Sequence, residues 1–227
     1  MAESDIIREV EEDLRRERYQ ALWNRYGNLV VLAALAIIIG VAGYKGWQHW
    51  QLTRAESAGS RYEGALQLSR EDKDALSIAA LEALVKDAPA GYQTLGRFRL
   101  AAEASTAGKM AEALVQYQSL ADDKITDPLL RGYAQLKAAE LRVDAADFTE
   151  MQNRLTPLMA DGAPWRYSAR ELLGLSAFKA GNHEEAEKAF VLLIADPLVP
   201  QGLRQRAEMM MTLIAADTAK PASGGNN

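Results

Sequence analysis

The chain has 227 residues, a net charge of −5, no Cys and only two His. Without cysteine there is no disulfide framework, thiolate metal centre or cysteine nucleophile, and the widely separated His49 and His183 leave little material for histidine catalysis or zinc binding. The acidic balance argues against binding a nucleic-acid duplex, while 48% hydrophobic and 25% charged residues suffice for a folded core.

Residues 1–25 read as a charged cytoplasmic tail of helical pattern. Ser4 is placed to cap it, and Ile7, Val10, Leu14 and Ala21 recur at helical spacing among charges. Nineteen uncharged residues, Tyr26 to Tyr44, lie between Arg25 and Lys45. At the rise of an α-helix they cover roughly 28 Å, close to the thickness of a hydrocarbon core. Trp23 and Tyr26 flank the run on one side, and Tyr44, Trp47 and Trp50 on the other, as interfacial aromatics do; Arg25 and Lys45 can reach toward headgroups from either end. A cleaved signal peptide has a shorter apolar region and a small-residue cleavage site, and a buried core helix does not call for aromatic girdles at both ends. Residues 26–50 are therefore expected to be a retained single-span anchor with its interfacial flank. Five Arg in the first 25 residues, against Lys45, Arg54 and Arg61 in the twenty residues after Tyr44, favour a cytoplasmic N-terminus and an exported C-terminal domain.

From residue 51 to 216 the sequence reads as helix after helix, rich in Ala, Leu, Glu and Arg. Breaks fall at Asp87-Ala88-Pro89, Thr126-Asp127-Pro128, Gly162-Ala163-Pro164 and Asp196-Pro197. Pro128, Pro164 and Pro200 stand 36 residues apart, an interval that marks stacked helical hairpins. The best-defined unit runs from Leu172-Leu173-Gly174 through Ala177-Phe178-Lys179-Ala180-Gly181-Asn182, then Ala186 and Phe190, to Asp196-Pro197. It resembles the tetratricopeptide repeat. In that register small residues fall at Ala65, Ala101, Ala139 and Gly174, large ones at Leu81, Tyr117, Leu155 and Phe190, and leucines at Leu84, Leu120, Leu158 and Leu193. A small residue lets paired helices approach, and a large one plugs the gap between hairpins. Units one and three depart from the pattern: Asp72 and Ala146 replace the turn glycine, and Ser77 and Met151 occupy the small position of the second helix. A last helix, from about Pro200 to Ala216, should cap the stack, and residues 217–227 should be disordered.

The fold class expected is all-α: an N-terminal transmembrane helix followed by a tetratricopeptide-like helical-hairpin solenoid. The register implied by the resemblance places Tyr62, Leu66, Phe98, Tyr133, Leu136, Leu175 and Phe178 on the inner face, with Glu140 and Glu171 among them. Such a face suits a peptide segment, although side chains at this spacing also serve as packing between repeats. The Lys, Arg and Asn set by which some members grip a C-terminal carboxylate has no counterpart at these positions. No catalytic constellation, cofactor site or metal site is expected. His183 reads as a solvated residue, and Asp122-Asp123 and Asp144/Asp147 as solvated turn carboxylates. The Met209-Met210-Met211 run reads as core filling.

The whole arrangement, from Glu12-Asp13-Leu14-Arg15 through the anchor to Ala79-Ala80-Leu81-Glu82-Ala83-Leu84, Asp87-Ala88-Pro89-Ala90-Gly91-Tyr92 and Arg97-Phe98-Arg99-Leu100-Ala101-Ala102, resembles the YfgM-like family, the ancillary SecYEG translocon subunits. The resemblance implies a non-enzymatic, single-pass protein of the bacterial inner membrane whose repeat domain faces the periplasm. Its implied partners are the translocon, periplasmic chaperones and exported clients. Alternative roles are a scaffold for an envelope or division complex, or a non-catalytic subunit of a membrane enzyme.

Overall fold

The computed structural model describes residues 2–219, with side chains for Arg16 and, Val30 apart, from Trp23 onward. The described residues are helical throughout their regular structure, with no strand among them. The chain divides into two compact units, Met1–Ser57 and Ala58–Asn227. The disorder expected of the C-terminal tail falls, from Lys220 on, outside the described residues.

Helix α1 spans Ala2–Arg70. It starts ahead of Ser4, which therefore lies within the helix rather than at its cap. From Trp23 it contains the one stretch among the described residues long and apolar enough to cross a membrane. Leu29, Leu32, Ile37 and Ile39 are each about two-thirds exposed. A helix apolar all round has no partner in water and is at home in lipid, where its backbone bonds are satisfied internally. Toward its polar end Tyr44 and Trp47 pack at 6.4 Å between ring centroids, and the Arg54 guanidinium lies 4.8 Å from the centre of the Trp50 ring.

The second unit begins inside α1, at Ala58. It continues with α2 (Asp74–Asp87), α3 (Ala90–Thr106), α4 (Met110–Asp122), α5 (Pro128–Glu140), α6 (Phe148–Leu155) followed by a 3-10 turn (Thr156–Leu158), α7 (Arg166–Lys179), α8 (His183–Ala195) and α9 (Gln201–Thr218). Consecutive helices pack against one another from α2 to α9, and α7 also touches α5 and α9. These are hairpins in series, the first formed by the end of α1 with α2, and α9 closing the stack.

Sequence chemistry sets the boundaries. Asp127 caps α5, accepting a 2.8 Å bond from the Leu129 amide, and Pro128 follows at the first helical position, where no amide is needed. Asp147 and Asn182 cap α6 and α8 through the amides of Glu150 and Glu185. Two of the carboxylates expected to be solvated thus have structural work: Asp147 is a cap, and Asp123 holds Arg97 at 2.6 Å. The hairpin turns need one left-handed residue each in units one, two and four, supplied by Asp72 (φ 58°), Gly108 (φ 76°) and Gly181 (φ 72°). Unit three lacks one. Its turn is a longer irregular segment between Glu140 and Phe148, and Ala146 is buried against the core instead.

All twelve residues of the small, large and leucine register are buried. The pairing is most direct at Gly174, where an added Cβ would come within 2.8 Å of the Phe190 ring. Ser77 is tolerated at a small position because its hydroxyl donates to the Ala65 carbonyl at 2.8 Å, so no buried polar group is left unmade. The repeat period also appears in the hydrogen bonds. Ser69 donates to Glu103, the Trp165 indole to the Leu129 carbonyl, Lys179 to the Val143 carbonyl and Arg206 to Glu171, which are separations of 34, 36, 36 and 35 residues. Each bond joins neighbouring repeats, the basis of stability in a solenoid.

Candidate protein-binding groove

The inner face is built by the first helix of each hairpin, and α9, following α8, occupies the place of a fifth such helix. Between α5, α7 and α9 lies a cavity of about 520 Å³. Glu140 reaches it from α5; Ser168, Glu171, Leu172 and Leu175 from α7; Arg206, Met209 and Met210 from α9. Its floor is apolar and its rim charged. Arg206 grips Glu171 with two bonds, Nε to Oε1 at 2.5 Å and Nη2 to Oε2 at 3.0 Å, and this pairing raises the guanidinium pKa further. Glu140 pairs with Lys137 one turn earlier on α5.

Of the nine inner-face residues named from the sequence, Glu140, Glu171 and Leu175 converge on this cavity. Phe98 and Tyr133 belong to an aromatic row that runs from α3 to the start of α7: Phe98 to Tyr133 at 5.5 Å between centroids, Tyr133 to Trp165 at 5.1 Å. Both are half-buried, and Phe98 also packs on Tyr117 of α4 at 6.1 Å. Burial raises the pKa of Tyr117 and, nearer the first hairpin, of Tyr62. Tyr62 packs at a tilt against Tyr92, 6.4 Å between centroids, and Leu66 is half-buried on the same helix. Phe178 is half-buried against the His183 ring, 5.7 Å away. Leu136 is corrected. It is buried in the cluster of Ala139, Met151, Leu155 and Leu172, because its position on α5 points between α6 and α7 rather than into the open face.

Two further expectations change. His183 is half-buried and partnered: Nε2 is 3.3 Å from Asp217 Oδ2, because the end of α9 returns beside the start of α8. The methionine run is split by helix geometry, with Met210 and Met211 packed on the α7–α9 core and Met209 exposed at the groove. The groove residues not anticipated were Ser168, Leu172, Arg206, Met209 and Met210. The signal was present in the period, since adding 35 to Glu171 gives Arg206, but α9 was read as a cap alone. Among the described residues no three His, Asp or Glu side chains converge as a metal site would require.

A model of the tetratricopeptide repeat-like domain matches residues 20–205. The chain belongs to this family. No curated protein and no solved structure matches it. Tetratricopeptide repeat-like domains are typically non-catalytic scaffolds for protein interaction, and the match supports a protein-interaction scaffold role for this repeat domain. The stretch matched includes the apolar segment of α1 as well as the four hairpins.

Proposed function

We propose that the protein is a membrane-anchored adaptor of the YfgM-like kind. Its repeat domain would lie on the periplasmic side of a bacterial inner membrane, beside the Sec translocon, where it engages chaperones or emerging clients and performs no catalysis itself. The reading rests chiefly on one observation: among the described residues, one helix long and apolar enough to span a membrane precedes an array of hairpins whose inner face carries an apolar cavity with a charged rim. Leu172, Leu175, Met209 and Met210 offer flexible and aliphatic contacts suited to varied apolar side chains of a client. Tethering raises the effective concentration of weak contacts at the site where clients appear. The five Arg of the N-terminal tail, against three basic residues in the twenty after Tyr44, support the orientation.

The test is purification of the full chain from membranes in mild detergent, with a periplasm-dependent reporter fused after Asn227. Active reporter and co-purifying translocon subunits are the expected results. An inactive reporter contradicts the orientation, and recovery of division or cell-wall proteins in place of the translocon contradicts the assignment of partner.

A further inference from the structure

On the opposite side of the array, the second helices of the hairpins are unequal. Helices α2, α4 and α8 run 14, 13 and 13 residues, whereas α6 runs 8 and gives way to the 3-10 turn at Pro157. The shortened helix leaves a depression in repeat three that reaches α4 of repeat two on one side and the start of repeat four on the other. Two cavities of about 340 and 360 Å³ lie there side by side, with Gln135 and Pro157 bordering both. One end is walled by Gln118 and Asp122 of α4, the other by Arg131 of α5, Pro164 and Trp165.

We propose that this outer cleft binds an extended peptide segment carrying an acidic side chain. Three features fit that ligand. Its walls are preorganised: the prolines are rigid, and Trp165 is fixed over Gly132, where a Cβ would meet its ring at 2.8 Å, with its indole N–H bonded to the Leu129 carbonyl at 2.9 Å. Ligand contact there immobilises little. The side-chain amides of Gln118 and Gln135 have no hydrogen-bond partner among the described residues, and each offers both a donor and an acceptor to an extended backbone.

The charge is complementary to an acid. Arg131 has no ion-pair partner among the described residues. Arg154 donates from Nε to Glu150 Oε1 at 2.9 Å, but Glu150 also receives two bonds from Arg142, at 3.1 and 2.8 Å, so one carboxylate serves two guanidinium groups. Those two Arg hold the Glu150 pKa at about 2. The cleft thus has an excess of positive charge in a chain that is acidic overall, with Asp122 the opposing charge at the far end. A carboxylate at the Arg131 end gains a charge-assisted contact, while a lysine there meets like charge.

The test uses the full chain in detergent micelles and three pools of short fluorescein-labelled peptides, randomised except for a central Asp, Asn or Lys, with anisotropy as the readout. The Asp pool is expected to bind about tenfold more tightly than the Asn pool, the value of one charge-assisted hydrogen bond, and the Lys pool least. Arg131→Glu should invert the order, and Arg206→Ala on the inner face should leave it unchanged. Equal binding of the three pools, absence of binding, survival of the order in Arg131→Glu or its loss in Arg206→Ala would each overturn the proposal. If Arg131→Glu fails to fold, Gln135→Trp decides instead. Filling the cleft should abolish binding of the Asp pool, and unchanged binding would overturn the assignment. Because the inner groove is probed separately through Arg206, failure here leaves the proposed adaptor role standing.

Discussion

Repeats three and four occupy the same architecture with different packing. In repeat four, Gly174 lets the Phe190 ring lie against the backbone of α7, Ala186 keeps the helices close, and Gly181 makes a tight turn. In repeat three the corresponding residues are Ala139, Leu155, Met151 and Ala146. There a buried methionine fills the space that a tight helix pair would close, the turn is longer, and α6 is cut short. The same fold is reached by moving bulk from the large position to the small one. The consequence is a groove on the inner face beside repeat four and a cleft on the outer face beside repeat three.

Substitutions can break this comparison, beginning with the largest effect. Phe190→Ala should destabilise the domain by about 3–5 kcal/mol, through lost burial and the cavity left against Gly174. Urea unfolding followed by circular dichroism in detergent checks it, and a cost below that of Leu155→Ala would mean the aromatic plug is not what repeat four depends on. Each small position should resist the residue type of the other. Met151→Ala should cost about 2–5 kcal/mol because its side chain fills the core of repeat three. Ala186→Met should cost about 1–3 kcal/mol by overpacking repeat four. Acceptance of both changes without loss of stability would deny the difference in packing.

Turn substitutions should have smaller effects. Gly181→Ala places a Cβ at φ 72° and should cost about 1 kcal/mol. Ala146→Gly, at a turn with no left-handed residue, should gain nothing and lose packing. Differential melting temperatures measure both. The smallest effect concerns acid. Glu150 has its pKa lowered from 4.5 to about 2, first by bonding to Arg142 and then to Arg154. A depressed folded-state pKa means its stabilisation is fully present above about pH 4.5 and lost as pH falls toward 2. Glu150→Gln should remove that part of the pH dependence, and an unaltered acid-unfolding profile would show that the exposed network contributes nothing.

Much of this fold was legible because its packing code is local in sequence. Small residues, large residues and leucines recur at the repeat interval, and all twelve are buried where that register puts them. The left-handed turn at Asp72 was not legible, since Asp72 and Ala146 both departed from the turn glycine and only Asp72 took up its conformation. The inner face was harder to read, since helical spacing does not separate a groove side chain from one wedged between repeats: Leu175 opens to the cavity while Leu136 is in the core. Arg206 and Met209 were missed because their place depends on α9 acting as the inner helix of a further repeat. The contact of His183 was missed because its partner, Asp217, lies 34 positions on in another helix. The outer cleft could not have been anticipated at all, since it exists only because α6 ends early.

The most direct test of the account is photo-crosslinking in intact cells from two positions of repeat four in the full-length protein. Leu175 opens into the inner cavity, and Val191 is exposed on α8. The account predicts discrete adducts with translocon, chaperone or exported proteins from Leu175 and none of these from Val191. Adducts from Val191 alone, or the same adducts from both positions, would contradict a protein-binding inner face.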